Sequence, residues 1–248
     1  MEMKQVTLHF HGELKGFLSL EHVNGPFKQT FNDHPSVKHL FESLGVPHTE
    51  VGQVLVDDRP VDFAYGLQDG DWVDLFPQLD KSLPSTANQE NGAQPEPRFV
   101  LDVHLGKLAA YLRMLGFDAK YRNDYPDQEL AQIAGEEERI LLTRDRRLLM
   151  RSQVQRGHCL RSMVPQDQIL EVVQRYHLKP YIKPFQRCLH CNGILQEVDK
   201  RSIEPRLEPL TRLYYTEFRI CPDCQNIYWK GSHFQRMQKL VKRIMASS

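Results

Sequence analysis

Four of the five cysteines form two Cys-x-x-Cys pairs, Cys188-Leu189-His190-Cys191 and Cys221-Pro222-Asp223-Cys224, with 29 residues between them. Thiolates at that spacing can close one tetrahedral site, and the chain must then fold back until the pairs meet. Residues 1–6 lack the long apolar core of a signal peptide, so the pattern favours zinc over disulfides. Two complete pairs already fill four positions, which makes His190 a less favoured ligand. Asn192-Gly193 and Gln225-Asn226 supply the turns after each pair. The remaining cysteine, Cys159, reads as a buried structural thiol.

Charge separates the chain into two parts. Residues 1–80 hold five Lys and Arg against thirteen Asp and Glu, a net of −8; the remainder carries +8, and the whole is neutral. Either the basic part alone meets a polyanion, or the acidic part docks on it, and the two readings are compatible. With 40% hydrophobic and 26% charged residues and no run of membrane-spanning length, a soluble cytoplasmic protein without a membrane partner is expected.

The acidic part reads as strand, strand, helix, strand, strand. Val6, Leu8 and Phe10 alternate, and a second strand is expected over 17–23. Val37, Leu40, Phe41 and Leu44 mark a helix that Gly45 ends. Strands follow over 51–56 and 72–76. That order is the order of a ubiquitin-like β-grasp. His9 and His11 share one strand face and are expected to be ordinary surface residues. The stretch 81–97 is rich in Pro, Ser and Asn and reads as a linker.

Beyond it, two short apolar runs each end in an acid: Phe99-Val100-Leu101-Asp102 and Ile140-Leu141-Leu142-Thr143-Arg144-Asp145. Such runs fit strands buried on both faces of a parallel sheet, whose carboxyl ends gather ligands. Asp145 could instead cap a helix over 146–154. Helices are expected over 105–116, after Pro126 and near 166–176, and a strand over 159–164. This alternation points to a parallel α/β sheet. Asp124 and Asp127 add carboxylates near a helix start, where capping is the competing role. Clustered carboxylates repel one another, and a hard divalent cation offsets that cost. An all-oxygen site suits magnesium or manganese.

Several stretches carry a resemblance. Phe31 to Val37, Gly45 to Val51 and Asp69-Gly70-Asp71 resemble the Mut-seven C-terminal ubiquitin-like module, a relative of the β-grasp sulfur carriers. Those carriers end in Gly-Gly; this fold ends at Phe76-Pro77-Gln78-Leu79-Asp80, so a sulfur-carrier role is not expected. Arg98 to Ala109, Leu112 to Asp118 and Ile140 to Asp145 resemble the Mut-seven C-terminal RNase family, PIN-like nucleases with a zinc ribbon. So does Ile227-Tyr228-Trp229-Lys230-Gly231-Ser232-His233. With the linker between the first two, domains are expected at 1–80, 98–180 and 181–248, the last ending in a basic helix. The resemblance implies a metal-dependent ribonuclease leaving 5′-phosphate and 3′-hydroxyl ends. Its catalytic set would be Asp102, Asp127, Thr143 and Asp145, with Asp124 as an additional acid. Asp102, Asp127 and Asp145 would hold magnesium or manganese, and Cys188, Cys191, Cys221 and Cys224 a structural zinc. The helical-hairpin acid of typical PIN domains has no counterpart between 102 and 127. Lys107, Arg113, Arg144 and Arg147 are either RNA-phosphate contacts or a solvated face. Tyr228, Trp229 and His233 either stack on bases or pack around the ribbon. A non-catalytic RNA- or ribosome-associated adaptor is the alternative function, and the acidic module is a candidate site for a protein partner.

Overall fold

The structure, a computed structural model, describes residues 3–78 and 96–247; the expected linker over 81–97 lies outside them except for Glu96 and Pro97. The first strands and helix are β1 (Lys4–Phe10), β2 (Phe27–Phe31), α1 (Val37–Ser43), β3 (Val51–Val56), β4 (Arg59–Val61) and β5 (Trp72–Pro77). Then come β6 (Arg98–Leu101), α2 (Gly106–Leu115), β7 (Asp118–Lys120), α3 (Asp127–Glu136), β8 (Ile140–Thr143), α4 (Arg146–Leu149), β9 (Gly157–Cys159) and α5 (Pro165–Arg175). The last are β10 (Gln196–Val198), α6 (Lys200–Ile203), α7 (Pro209–Tyr214), β11 (Phe218–Ile220), β12 (Ile227–Trp229) and α8 (Ser232–Ala246). Contacts divide the chain into two units: Met1–Asp80 with Pro126–Cys159, and Lys81–Tyr125 with Leu160–Ser248.

In the first unit a five-stranded sheet runs in the order β2-β1-β5-β3-β4. β1 and β5 pair in parallel and their other neighbours are antiparallel. The alternation seen in sequence sets the faces: Val6, Leu8, Phe10, Val73 and Leu75 are buried. Ser36 caps α1 by accepting the His39 N–H at 3.2 Å, and Val37, Leu40 and Phe41 are buried. The strand expected over 17–23 is absent. Gly12, at φ +52°, turns the chain directly after β1, and a short 3-10 helix (Gly12–Phe17) buries Leu14 and Phe17. The second strand is therefore β2, ten residues later than the expected start at 17.

The same unit holds β8 and β9, paired in parallel with Thr143 opposite Cys159. All four β8 residues are buried, as a run without alternation requires. α4 is a single turn and not the longer helix expected over 146–154, and buried Val154 lies in the return to β9. β9 ends at Cys159, so the strand expected over 159–164 lies earlier. Buried Glu50 ties the β-grasp to β9. Its Oε1 accepts the Cys159 N–H at 2.7 Å and lies 2.9 Å from His158 Nδ1. His48 Nε2 donates to the Val154 carbonyl at 2.9 Å, and Arg146 Nη1 to that of Phe17 at 2.8 Å.

In the second unit β6 and β7 pair in parallel. Phe99 meets Phe117 and Tyr176 edge-on, with centroids 5.9 and 6.2 Å apart. β10, β11 and β12 form a separate antiparallel sheet. Its fully buried clusters are small, Ile203, Leu207 and Phe218 in one and Leu195 with Cys188 and Cys221 in the other, and Val198, Tyr215, Ile220, Ile227 and Tyr228 pack against them only partly buried. No described helix is long and apolar enough to cross a membrane.

Candidate functional site

The four cysteines converge. One Sγ from each lies within 4.8 Å of the others. Cys188 and Cys224 are 3.4 Å apart at sulfur, and Cys191 and Cys221 3.3 Å. A tetrahedral zinc at the usual Zn–S distance needs sulfurs about 3.8 Å apart, so a small expansion seats the ion. Each pair is built by one local device. The Cys188 N–H donates to Gly193 O at 2.7 Å and the Cys221 N–H to Asn226 O at 2.9 Å. Asn192 (φ +76°) and Gln225 (φ +61°) turn the chain after each pair. The second pair approaches Gly193 closely: a Cβ there would stand 3.0 Å from Cys221 Sγ and would displace the exposed Asp223 carboxylate.

Tyr228 links the two turns. Its hydroxyl accepts the Leu189 N–H at 3.2 Å and lies 3.1 Å from Cys188 Sγ, to which it donates. Burial pushes the Cys188 thiol up, but the Tyr228 hydroxyl and the backbone N–H groups of Cys191 and His190 outweigh it, bringing the thiol to about 6. Burial and sulfur neighbours push Cys191 up instead. Thiolate donors with a hydroxyl behind them fit zinc, and these four residues would hold it. The His190 ring is not among the converging groups.

Arg113 corrects an expectation. It does not face solvent as an RNA contact would; it is 3% exposed. Its Nε donates to Ala119 O at 2.9 Å, and its Nη1 to the carbonyls of Leu189 and His190 at 3.1 and 2.7 Å. Burial works against its charge, while Cys188, Cys191 and Asp118 favour it; the net is a lowered pKa. Asn192 reinforces this seam, donating to Asp118 Oδ1 at 2.8 Å and accepting the Ala119 N–H at 3.1 Å. The first cysteine turn is thereby fastened to α2 and β7. The other three cations, Lys107, Arg144 and Arg147, are exposed.

The carboxylates divide between the units. In the second, Asp102 follows β6 and is nearly buried, its Oδ1 accepting the Val103 N–H at 2.6 Å. Asp124 is exposed and does not cap α3; Arg122 Nε donates to it at 2.8 Å and holds its carboxyl below the usual range. In the first unit Asp127 opens α3 with Pro126 at the cap position, and Arg151 Nη2 lies 4.0 Å away. Thr143 is fully buried, and its Oγ1 accepts the Asp145 N–H at 2.9 Å. Asp145 does cap α4: its Oδ1 accepts the Arg147 N–H at 2.8 Å. Thr143 and Asp145 are thus brought together by the strand end itself. Tyr228 serves the cysteine site, Trp229 packs near Tyr215 and Phe218 at 6.4 and 6.5 Å, and His233 is exposed.

Parallel strands ending in acids, a β-grasp sheet and a four-cysteine cluster define a multidomain α/β protein. Residues 97–241 match the family model of the Mut7-C RNAse domain, and residues 3–82 that of Mut7-C ubiquitin. The first match spans more than half of the sequence, and the chain belongs to the Mut7-C RNAse domain family. Both resemblances drawn from the sequence are borne out. Among solved structures, a Pyrococcus furiosus protein described as a molybdopterin converting factor subunit 1 is 20% identical. That match covers 30% of this chain and 97% of the other, with a TM-score of 0.23. No curated protein matches.

Proposed function

We propose that this protein is a metal-dependent ribonuclease of PIN-like design, with Asp102, Asp127 and Asp145 holding magnesium or manganese. The observation that carries the reading is the RNase-domain match over 97–241, which contains every candidate acid. The donor set is all oxygen, which suits a hard divalent cation. When bound, such an ion supplies charge stabilisation and an activated water.

The chain's own residues supply position. The Val103 N–H orients Asp102, and the Arg147 N–H orients Asp145 while engaging one of its two oxygens. Thr143 holds the backbone at Asp145, so the carboxylate leaves β8 in a set direction. Asp124 is a peripheral acid in this scheme, held by Arg122. Lys107, Arg144 and Arg147 are exposed cations suited to RNA phosphates. The four cysteines hold a structural zinc in a ribbon that aids RNA binding, in a reducing, cytoplasmic setting.

Cleavage of single-stranded and structured RNA with manganese tests this. Asp102→Asn and Asp145→Asn should each reduce cleavage by about 10²-fold or more, since loss of several kcal/mol of charge stabilisation is at stake. Asn keeps a helix cap, so the Asp145 variant should stay folded. Full cleavage by both variants would exclude the carboxylate site. RNA binding without cleavage in any metal would point to the adaptor instead.

A further inference from the structure

The sheet of the first unit has a second group of converging donors. In β1 the residues that point away from Val6, Leu8 and Phe10 are Thr7 and His9, and His11 follows with the same phase. In β5 the residues that point away from Val73 and Leu75 are Trp72, Asp74 and Phe76. The parallel β1–β5 register places His9 opposite Asp74. The His11 N–H donates to Leu75 O at 2.9 Å and carries the pairing one step past the strand.

Three side chains meet as a result. His9 Nδ1 is 3.0 Å and His11 Nε2 2.6 Å from the same oxygen, Asp74 Oδ1. Donor atoms of all three lie within 4.8 Å of one another. The remaining oxygen, Oδ2, accepts the Trp72 indole N–H at 2.9 Å. The His11 ring stacks on Phe76, with centroids 4.2 Å apart and planes 5° apart. The His9 and His11 rings lie 4.0 Å apart. The group is partly open, with side-chain exposures of 25%, 30% and 15% for His9, His11 and Asp74.

We propose that His9 Nδ1, His11 Nε2 and Asp74 form a second metal site, taking a borderline divalent transition-metal cation such as Zn²⁺. Two imidazoles and a carboxylate are the donors such ions take, whereas magnesium and calcium take oxygen alone. Zn–N and Zn–O distances near 2.1 Å require donors about 3.4 Å apart, so the 3.0 Å spacing of His9 must open by about 0.4 Å and the 2.6 Å spacing of His11 by about 0.8 Å, which side-chain rotation supplies at this partly open site. Trp72 and Phe76 orient one ligand each from behind, as groups behind metal ligands do. The module's net charge of −8 raises the local cation concentration. On binding, the ring nitrogens that face Asp74 must present a lone pair, so the hydrogen bonds to Asp74 are exchanged for bonds to the ion. The three ligands leave the fourth position to solvent. Nothing in this site depends on the nuclease reading.

The test uses the full chain, first loaded with one equivalent of zinc at the cysteines and then titrated with Zn²⁺ against a chromophoric chelator near pH 7.5. Wild type should take up a second equivalent. His9→Gln, His11→Gln and Asp74→Asn should each weaken that second uptake by about tenfold or more and leave the first unchanged. Circular dichroism checks the fold; should Asp74→Asn unfold the module, the two histidine variants decide alone. In a parallel cobalt titration the first equivalent should show thiolate charge-transfer absorption and the second none. Saturation of wild type at one equivalent would overturn the site. So would a second equivalent bound equally well by both histidine variants, the signature of scattered surface histidines.

Discussion

The four-cysteine cluster and the His9–His11–Asp74 cluster both converge within 4.8 Å, yet they are assembled in opposite ways. Each cysteine pair is a local turn, closed by bonds from Cys188 N–H to Gly193 and from Cys221 N–H to Asn226. The histidine group is made by register: His9 and Asp74 are 65 residues apart and meet only because β1 and β5 are neighbours. The surroundings differ too. The cysteine sheet has a small apolar core, so its fold leans on the ligands. The β-grasp sheet buries Val6, Leu8, Phe10, Val73 and Leu75 beneath its histidines and is secure without an ion. Locality makes a metal site legible, and a well-filled core makes one dispensable to folding.

The largest expected effect tests that contrast directly. If the four cysteines hold a structural zinc as proposed, Cys188→Ser/Cys221→Ser should lose it and lower the thermal transition, read by elemental analysis and calorimetry, because removal of a structural zinc removes folding energy. His9→Gln/His11→Gln should leave the transition nearly in place. Equal losses in the two double variants would break the comparison, and retained metal in the cysteine variant would remove the structural-zinc assignment.

A smaller effect is expected at Arg113, which joins the first cysteine turn to α2 and β7. Arg113→Met keeps the buried stem but leaves the carbonyls of Ala119, Leu189 and His190 without their donor. A cost of roughly 1–3 kcal/mol in chemical unfolding is expected, since one stranded buried acceptor, the Ala119 carbonyl, costs about that much while the part-buried Leu189 and His190 carbonyls can turn to water. Zinc should exchange faster with a chelator. A surface role in RNA binding predicts the reverse, weaker RNA affinity with unchanged stability.

The smallest effect separates the two roles of Asp145. Asp145→Ser keeps a good cap on α4, whereas Asp145→Ala loses it at about 1 kcal/mol. The two should differ by that amount in stability while cleaving RNA equally poorly. If Asp145→Ser cleaves like wild type, the residue is a cap and nothing more.

Much was legible from residue order alone. The spacing of the cysteine pairs, the β1 alternation, the unbroken apolar run of β8 and the acids at the ends of β6 and β8 each follow from short-range chemistry. Where the sequence misled, longer-range geometry had decided. Phe17 read as the start of a strand, but Gly12 at positive φ turns the chain into a 3-10 helix that ends there. Arg113 lies among the polar positions of α2, and only the approach of Leu189 and His190 made it an internal donor. His9 and His11 looked like ordinary surface residues because their partner, Asp74, is named by strand register and by nothing nearby in sequence. Local spacing determined the elements, the cysteine turns and the candidate acids of β6 and β8. Tertiary structure decided which distant groups share a face and which charges are buried, because side-chain partners across a sheet depend on strand order and register.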